Sequence, residues 1–296
     1  MKDDTLTQML NSTGAHRTSS PAEQSGPLEL IEGHLYRIGS EVPIDRISWI
    51  PEGVTGTEPL NCYAFVGDAE FFMVDTGAEI SAPAVRDALG ALRGDRELWV
   101  HLTRNEHECI GNLETVLTAR AQPKLVFGSG GGILEWLLEP TADGLGAENM
   151  IGKVEMVLAP NGQTLHTPGG LRFHWIDAPV KLMFLTQWAY EETSRTLFTS
   201  DFFAWQHLHS PEHGVVLTDP AELSGPRQVA AEIRSRVGWL PGAALPDLAQ
   251  DLRAVVERYE VDRLAPVHGR ILEGRDVVAR GVDIACEALD LLVRGA

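Results

Sequence analysis

The densest run of reactive side chains in the sequence is His101-Leu102-Thr103-Arg104-Asn105-Glu106-His107-Glu108-Cys109-Ile110-Gly111-Asn112. Glu106, Glu108 and Cys109 stand at alternate or adjacent positions of a loop just before a helix-spaced segment. Such spacing lets several side chains converge on one point. Carboxylate, thiolate and imidazole groups are all metal ligands. Three more polar groups stand where short apolar runs end: Asp75 in Val74-Asp75-Thr76-Gly77, Asp201 in Leu197-Phe198-Thr199-Ser200-Asp201, and His268 in Pro266-Val267-His268-Gly269. Loops at the carboxyl ends of strands are where α/β sheets place their sites.

The elements that must position these groups are legible from apolar periodicity. Residues 28–38 and 61–75 hold short apolar runs bounded by Gly and Asp, the signature of strands. Cys62 to Val66, the turn Gly67-Asp68-Ala69-Glu70 and Phe71 to Val74 predict a β-hairpin. Val85, Leu89 and Leu92 at i, i+4, i+7 predict a helix over 84–92. Strands are expected at 98–102, 124–127, 154–158, 171–176, 182–186, 196–199 and 263–266. Helices are expected at 110–119, 133–138, 246–259 and 276–293. The Gly-rich run Gly128-Ser129-Gly130-Gly131-Gly132 lies between a strand and a helix, where backbone N–H groups can cradle phosphate. No Lys-Ser/Thr follows it and no acidic residue stands at a ribose distance, so a tight turn is the better reading. Strands come first, then alternating helices and strands, twice over. That order predicts two face-to-face sheets with helices outside, an α/β fold of the αβ/βα four-layer sandwich type. It would occupy residues 28–296, behind a tail at 1–27 too poor in apolar residues to offset its ordering entropy.

Composition narrows the function. The chain has 296 residues, 44% hydrophobic and 22% charged, with 24 Lys and Arg against 42 Asp and Glu, a net charge of −18. That charge repels phosphate backbones and anionic lipid, so nucleic acid and membrane surfaces are not expected partners. No apolar run reaches the ~20 residues of a membrane span. Cys62, Cys109 and Cys286 are too few and too scattered for a disulfide framework, which makes a reducing cytoplasm the default compartment.

Taken in order, several pieces resemble the metallo-β-lactamase fold, and within it the diiron domain of flavodiiron proteins and of oxygen-binding diiron proteins. They are Gly56 to Asn61 with Tyr63, Val74 to Gly77, the loop ending Gly111-Asn112, Ala178-Pro179, Leu197 to Phe203 and Pro266 to Gly269. The resemblance implies two metal ions held by a loop of the form His-x-Glu-x-Asp-His-x-Gly and by later His and Asp ligands. Anchored on Gly111, this chain has Arg104 for the first His, keeps Glu106, has Glu108 for Asp and Cys109 for the last His. A later His, three residues beyond an Ala-Pro, falls on Leu182, which cannot ligate. Asp201 matches the carboxylate that bridges the metals, and His268 the last ligand. The metal candidates are therefore Glu106, Glu108, Asp201 and His268, with Arg104, Cys109 and Lys181 as further pocket residues.

Arg104 places a fixed positive charge where a metal cation would stand. Without metals, Glu106, Glu108 and Asp201 would repel one another. Arg104 can supply the missing charge by pairing with Glu106 or Asp201, and Lys181, one position from the lost His, can pair with another carboxylate. The site reads as converted from metal-held to ion-pair-held, with no cofactor or one weakly held divalent ion (iron or zinc) on Glu108, Asp201 and His268; the unmodified family pattern would instead imply diiron. Blander roles are open for the neighbours: His101 as a core histidine, Cys109 as a small buried residue, and His207, His209 and His213 as solvent-edge pocket lining. Phe202, Phe203 and Trp205 read as core and pocket wall.

Three functions compete. The resemblance implies a dioxygen- or nitric oxide-related binding or sensor protein, with a separate electron donor if redox-active, since too little chain follows His268 for a flavodoxin domain. A metal-dependent hydrolase of the lactonase or thioesterase type would use metal-bound water on a carbonyl, but wants the His ligands this loop has lost. A metal-free, non-catalytic interaction protein is favoured by Arg104 and Leu182. The partner in each case is a small molecule or diatomic gas, and a homodimer is an open arrangement.

Overall fold

The computed structural model of the chain describes residues 26–47, 49–128, 153–181, 186–210, 212–243 and 245–294. The strand pattern builds two seven-stranded sheets, one from each half of the chain. In the first sheet, spatial order follows chain order: β1 (Leu28–Ile31), β2 (Leu35–Pro43), β3 (Thr57–Val66), β4 (Glu70–Val74), β5 (Glu97–His101), β6 (Lys124–Phe127) and β7 (Glu155–Leu158). Its first four strands are antiparallel and its last four parallel. The expected hairpin is β3–β4, with Phe65 opposite Phe72.

The second sheet contains β8 (Thr164–His166), β9 (Arg172–Asp177), β10 (Gln187–Glu191), β11 (Thr196–Phe198), β12 (Val216–Leu217), β13 (Arg263–Ala265) and β14 (Ile271–Glu273). Its spatial order is β12-β14-β13-β11-β10-β9-β8. Helices α1 (Ala82–Ala88), α2 (His107–Ile110) and α3 (Leu113–Thr118) come from the first half of the chain. Helices α4 (Pro226–Arg236), α5 (Leu245–Tyr259) and α6 (Arg275–Val293) come from the second.

Period-two alternation sorts the side chains into layers. Phe65, Phe72 and Val74 point between the sheets, where they meet Phe173, Trp175 and Phe198 in one buried cluster. Their neighbours Ala64, Phe71 and Met73 point the other way and pack with Val85, Ala88, Leu113 and Leu117 of α1 and α3. On the second sheet Trp188, Tyr190 and Leu197 pack with Val229, Ile233, Leu252 and Leu289 of α4, α5 and α6. These layers are the helix–sheet–sheet–helix sandwich expected from the sequence.

Several elements differ from expectation, among them the short strands β8, β12 and β14 and the one-turn helix α2, which the sequence reading does not include. Helix α4 was not anticipated, although Val229, Ile233 and Val237 repeat at helical spacing and all are buried. Strand β10 begins at Gln187, just beyond the strand expected at 182–186; residues 182–185 lie outside the described residues. So do the tail at 1–25, most of the Gly-rich run and the helix expected at 133–138. Among the described residues, no helix is long and apolar enough to cross a membrane.

Candidate functional site

Four loops, each following the C-terminal end of a strand, converge at one edge of the sandwich. They follow β4, β5, β11 and β13. The loop after β4 is fixed by Asp75, a non-glycine residue with φ of 60°. Its carboxylate accepts from the Thr103 amide at 2.8 Å and lies 2.9 Å from Thr103 Oγ1, which is itself 3.1 Å from Ser200 Oγ. Loops of both sheets are thereby tied together. Asn112 Nδ2 donates to the carbonyls of Thr76, Gly77 and Ala78, and the Thr76 hydroxyl to that of Cys109. Gly111 has no room for a side chain: a Cβ there would meet Glu79 N at 2.6 Å and Gly77 O at 2.9 Å. The last loop is held by β3. Asn61 Nδ2 donates to Pro266 O and Gly269 O at 3.0 and 2.8 Å, and Tyr63 Oη to Pro266 O at 2.7 Å. The Asn-x-Tyr pair thus has a local task, placing His268.

Arg104 lies at the centre, only 3% exposed. Its Nη1 pairs with Glu106 and with Asp201. Its Nη2 lies 3.5 Å from Glu108 Oε2 and 3.5 Å from His268 Nε2. His268 Nε2 also lies 3.5 Å from Asp201 Oδ1 and 3.8 Å from Glu108 Oε1. The structure therefore brings Arg104, Glu106, Glu108, Asp201 and His268 together. They line a cavity of ≈ 500 Å³ with Trp49, Asn105, His107, Ile110 and Arg236.

Electrostatics follow from this arrangement. Burial opposes charge on Arg104, but its anionic neighbours, Asp201 and Glu108 among them, outweigh it and hold its pKa above the ordinary value. Burial raises Glu108, yet Arg104 and His268 bring its net pKa below the usual carboxylate range. Burial, then Asp75, push the Cys109 thiol well up, so it is a neutral, enclosed group 3.6 Å from Thr103 Oγ1. Burial also lifts Asp75 to about 7 against the two Thr103 contacts. His101 is held to about 3 by burial, with Nδ1 3.4 Å from Val126 O, as befits a core histidine.

Two expectations are corrected. Lys181 does not reach the cluster; its Nζ pairs with Asp177 at 2.5 Å, beside a separate depression lined by Trp239 and Tyr259. Asp177 is the nearer carboxylate because Lys181 follows it by four residues at the end of β9. His207 is not solvent-edge lining but buried, its Nε2 2.8 Å from Glu232 Oε2. Phe202, Phe203 and Trp205 belong to the core beneath α4–α6. Leu182 falls outside the described residues.

A second cluster escaped the sequence. Glu58, fully buried, lies 3.0 Å from His268 Nδ1 and 2.6 Å from Arg236 Nη2, and its other oxygen is 3.7 Å from His207 Nδ1. Burial would raise its pKa; Arg236 and His268 overcome that and hold it at about 2. Glu58 at Nδ1 fixes the His268 ring so that its Nε2 edge faces the cavity, toward Asp201 and Glu108.

The fold and the edge site together define the class: an α/β protein with the metallo-β-lactamase-like fold of flavodiiron proteins. It is similar to rubredoxin oxygen:oxidoreductase from Desulfovibrio gigas, with a TM-score of 0.62 and 16% identity over 89% of this chain and 61% of that one. The flavodiiron protein from Giardia intestinalis gives a TM-score of 0.57 and 17% identity, covering 91% of this chain and 59% of that one. The chain thus spans about three fifths of the length of these two proteins. A chemotaxis sensor, ODP, solved as a peroxy diiron species, is matched over 88% of this chain and 94% of that one, with a TM-score of 0.55 and 15% identity. No family model and no curated protein matches the sequence.

The residues present do not fit a metal pair. Among the described residues, no group of three or more His, Cys, Asp or Glu is arranged to hold an ion. The point on which Glu106, Glu108, Asp201 and His268 converge is taken by the Arg104 guanidinium.

Proposed function

We propose that this chain is a binding or sensor protein of the flavodiiron and oxygen-binding-diiron type whose metal centre has given way to an ion-pair cluster. Its pocket then recognises a small molecule without a dinuclear centre. One observation carries this reading: the Arg104 guanidinium is buried among the very side chains that the sequence pattern aligns with metal ligands. Arginine stays charged under ordinary conditions, so it cannot yield its place by losing a proton. Two divalent ions beside it would meet repulsion and too few ligands. Hydrolysis by metal-bound water is disfavoured for the same reason.

Metal analysis of the protein purified without added metal tests this. The expected content is well below one tightly held ion per chain, with thermal stability unchanged by a chelator. Arg104→His alone should not create a diiron centre, because Cys109 and Leu182 remain; the added changes Cys109→His and Leu182→His complete the ligand pattern. Finding close to two iron atoms per chain in the unmodified protein would overturn the proposal and restore dioxygen or nitric oxide chemistry, with a separate electron donor, to first place.

A further inference from the structure

The depression beside Lys181 is separate from the cavity around Arg104. It lies between the end of β9 and helix α5, with Trp239 in its wall, and has a volume of ≈ 530 Å³. That falls within the ~300–1,000 Å³ of small-molecule sites. Trp239 is 48% exposed, the one aromatic among the exposed large hydrophobics of the described residues. Among those residues its ring meets no other ring and its indole N–H meets no acceptor. Tyr259 presents a second ring, fixed by contacts with the rings of Tyr190 at 5.1 Å and His174 at 5.5 Å. An indole left half in water keeps apolar area that a ligand can cover, with a polar N–H at its edge.

The charged groups of this hollow are balanced. Asp177 and Lys181 pair at 2.5 Å, each with much of its side chain in solvent. Asp251 and Arg258, both on α5, have no ion pair with each other or with any other described residue. The Arg258 guanidinium lies over the Tyr259 ring, 5.2 Å from its centroid. Two acids and two bases leave the hollow without net charge, in a chain that carries −18. A strongly charged ligand finds no complementary field there. A compact zwitterion is no better matched. Asp251 and Arg258 stand about two helical turns apart, ~10 Å along the axis, whereas an α-amino acid carries its ammonium and carboxylate on one carbon. The hollow instead offers donors and acceptors spread over that length beside flat apolar rings. A neutral saccharide has the matching surface: its hydroxyls donate and accept around the rim, and the C–H groups of a pyranose face form an apolar patch that lies against an indole.

We propose that this hollow binds a neutral saccharide, with Trp239 as the platform for one sugar ring and Asp177, Lys181, Asp251 and Arg258 as partners of its hydroxyls. It shares no residue with the Arg104 cavity, so the metal content of that cavity does not enter. The test is saturation-transfer NMR and calorimetry on the full chain, with maltotriose, cellotriose, mannotriose and raffinose as probes and L-tryptophan and citrate as zwitterionic and anionic controls. At least one trisaccharide should bind saturably at one site with a Kd of about 1 mM or lower, and saturation should pass to the C–H protons of one ring. Neither control should displace it. Trp239→Ala should weaken that binding by about tenfold or more, and Asp251→Ala by about three- to tenfold. Ile80→Ala, at an exposed apolar residue elsewhere on the surface, should leave it unchanged. If Trp239→Ala fails to fold by circular dichroism, Asp251→Ala decides alone. Failure of all four trisaccharides to bind, binding untouched by a folded Trp239→Ala protein, or displacement by tryptophan or citrate overturns the inference. So does a solution dimer that Trp239→Ala converts to a monomer, which would make the hollow an interface between copies of this chain.

Discussion

Two charged clusters meet at the imidazole of His268, and they differ in their access to water. On the cavity side, Arg104 is paired with Glu106 and Asp201 and lies near Glu108, with the Glu106 and Glu108 side chains 34% and 19% exposed. Behind the imidazole, Glu58, His207 and Glu232 are at most 1% exposed, and Arg236, which also reaches the cavity wall, is 6% exposed. The same residue types therefore face different physics. Water near Glu106 and Glu108 screens their charges and leaves their side chains free to rearrange around a ligand. Glu58 is fully buried, so its charge is balanced by its side-chain partners rather than by bulk solvent, and each partner must remain where it is. The buried cluster acts as a fixed mount for His268, and the cavity cluster as the adaptable surface that the mount presents.

The largest effect should come from breaking the mount. Arg236→Met leaves Glu58 buried without its strongest partner, and losing one member of a buried pair costs about 3–5 kcal/mol. Urea denaturation measures it. Adding Glu58→Gln removes the orphaned charge and should recover part of the loss, the non-additivity expected of touching residues. A cost for Arg236→Met no greater than that of a surface pair would erase the distinction between the clusters.

Proton linkage sharpens the comparison next, because two buried carboxylates are shifted in opposite directions. Glu58 is held at about 2 against an ordinary 4.5. Its stabilisation is fully present above pH 4.5 and is lost as pH falls toward 2. Asp75 is raised to about 7 against 3.8. Its folded form holds the proton more tightly, so that stabilisation is complete below pH 3.8 and is lost as pH rises through 7. Stability measured against pH should fall on both sides of a maximum in the mildly acidic range. Glu58→Gln should flatten the acid limb, and Asp75→Asn the limb between about pH 4 and 7. An Asp75→Asn protein with the unmodified slope there would show that the limb belongs to another group.

The same contrast explains what the sequence made legible. The cavity cluster lies in loops of compact motif, with Arg104, Glu106 and Glu108 within five residues and Asp201 and His268 each ending a strand. The mount is assembled from distant pieces. Glu58 stands in Thr57-Glu58-Pro59, which reads as an ordinary polar strand end, and its partners lie roughly 150–210 positions away at His207, Arg236 and His268. The one available signal was the helical spacing of Val229, Ile233 and Val237, which would have placed Glu232 and Arg236 on α4. Lys181 failed for the converse reason: nearness in sequence to a lost ligand suggested a role, while Asp177, four residues back, offered a closer carboxylate. The sandwich itself was readable because short apolar runs bounded by Gly and Asp, such as Cys62 to Val66 and Phe71 to Val74, come first and then alternate with helix-spaced segments, twice along the chain.

The smallest effect is expected at the rim. Glu106 pairs with Arg104, as Asp201 does, but about a third of its side chain faces solvent. Its loss leaves Arg104 still paired with Asp201 and close to Glu108, so no charge is stranded. Exposed pairs contribute about 1 kcal/mol or less, and Glu106→Gln keeps the shape and one acceptor oxygen. The expected change in unfolding free energy is therefore within that range, and it should shrink further as salt is raised. Asp201→Asn removes a charge from the same guanidinium at a buried position and should cost more, with a weaker salt dependence. Equal costs for the two substitutions at low and high salt would mean that Arg104 is held by its total anionic surroundings rather than by the buried partner, and the two sides of His268 would then differ only in degree.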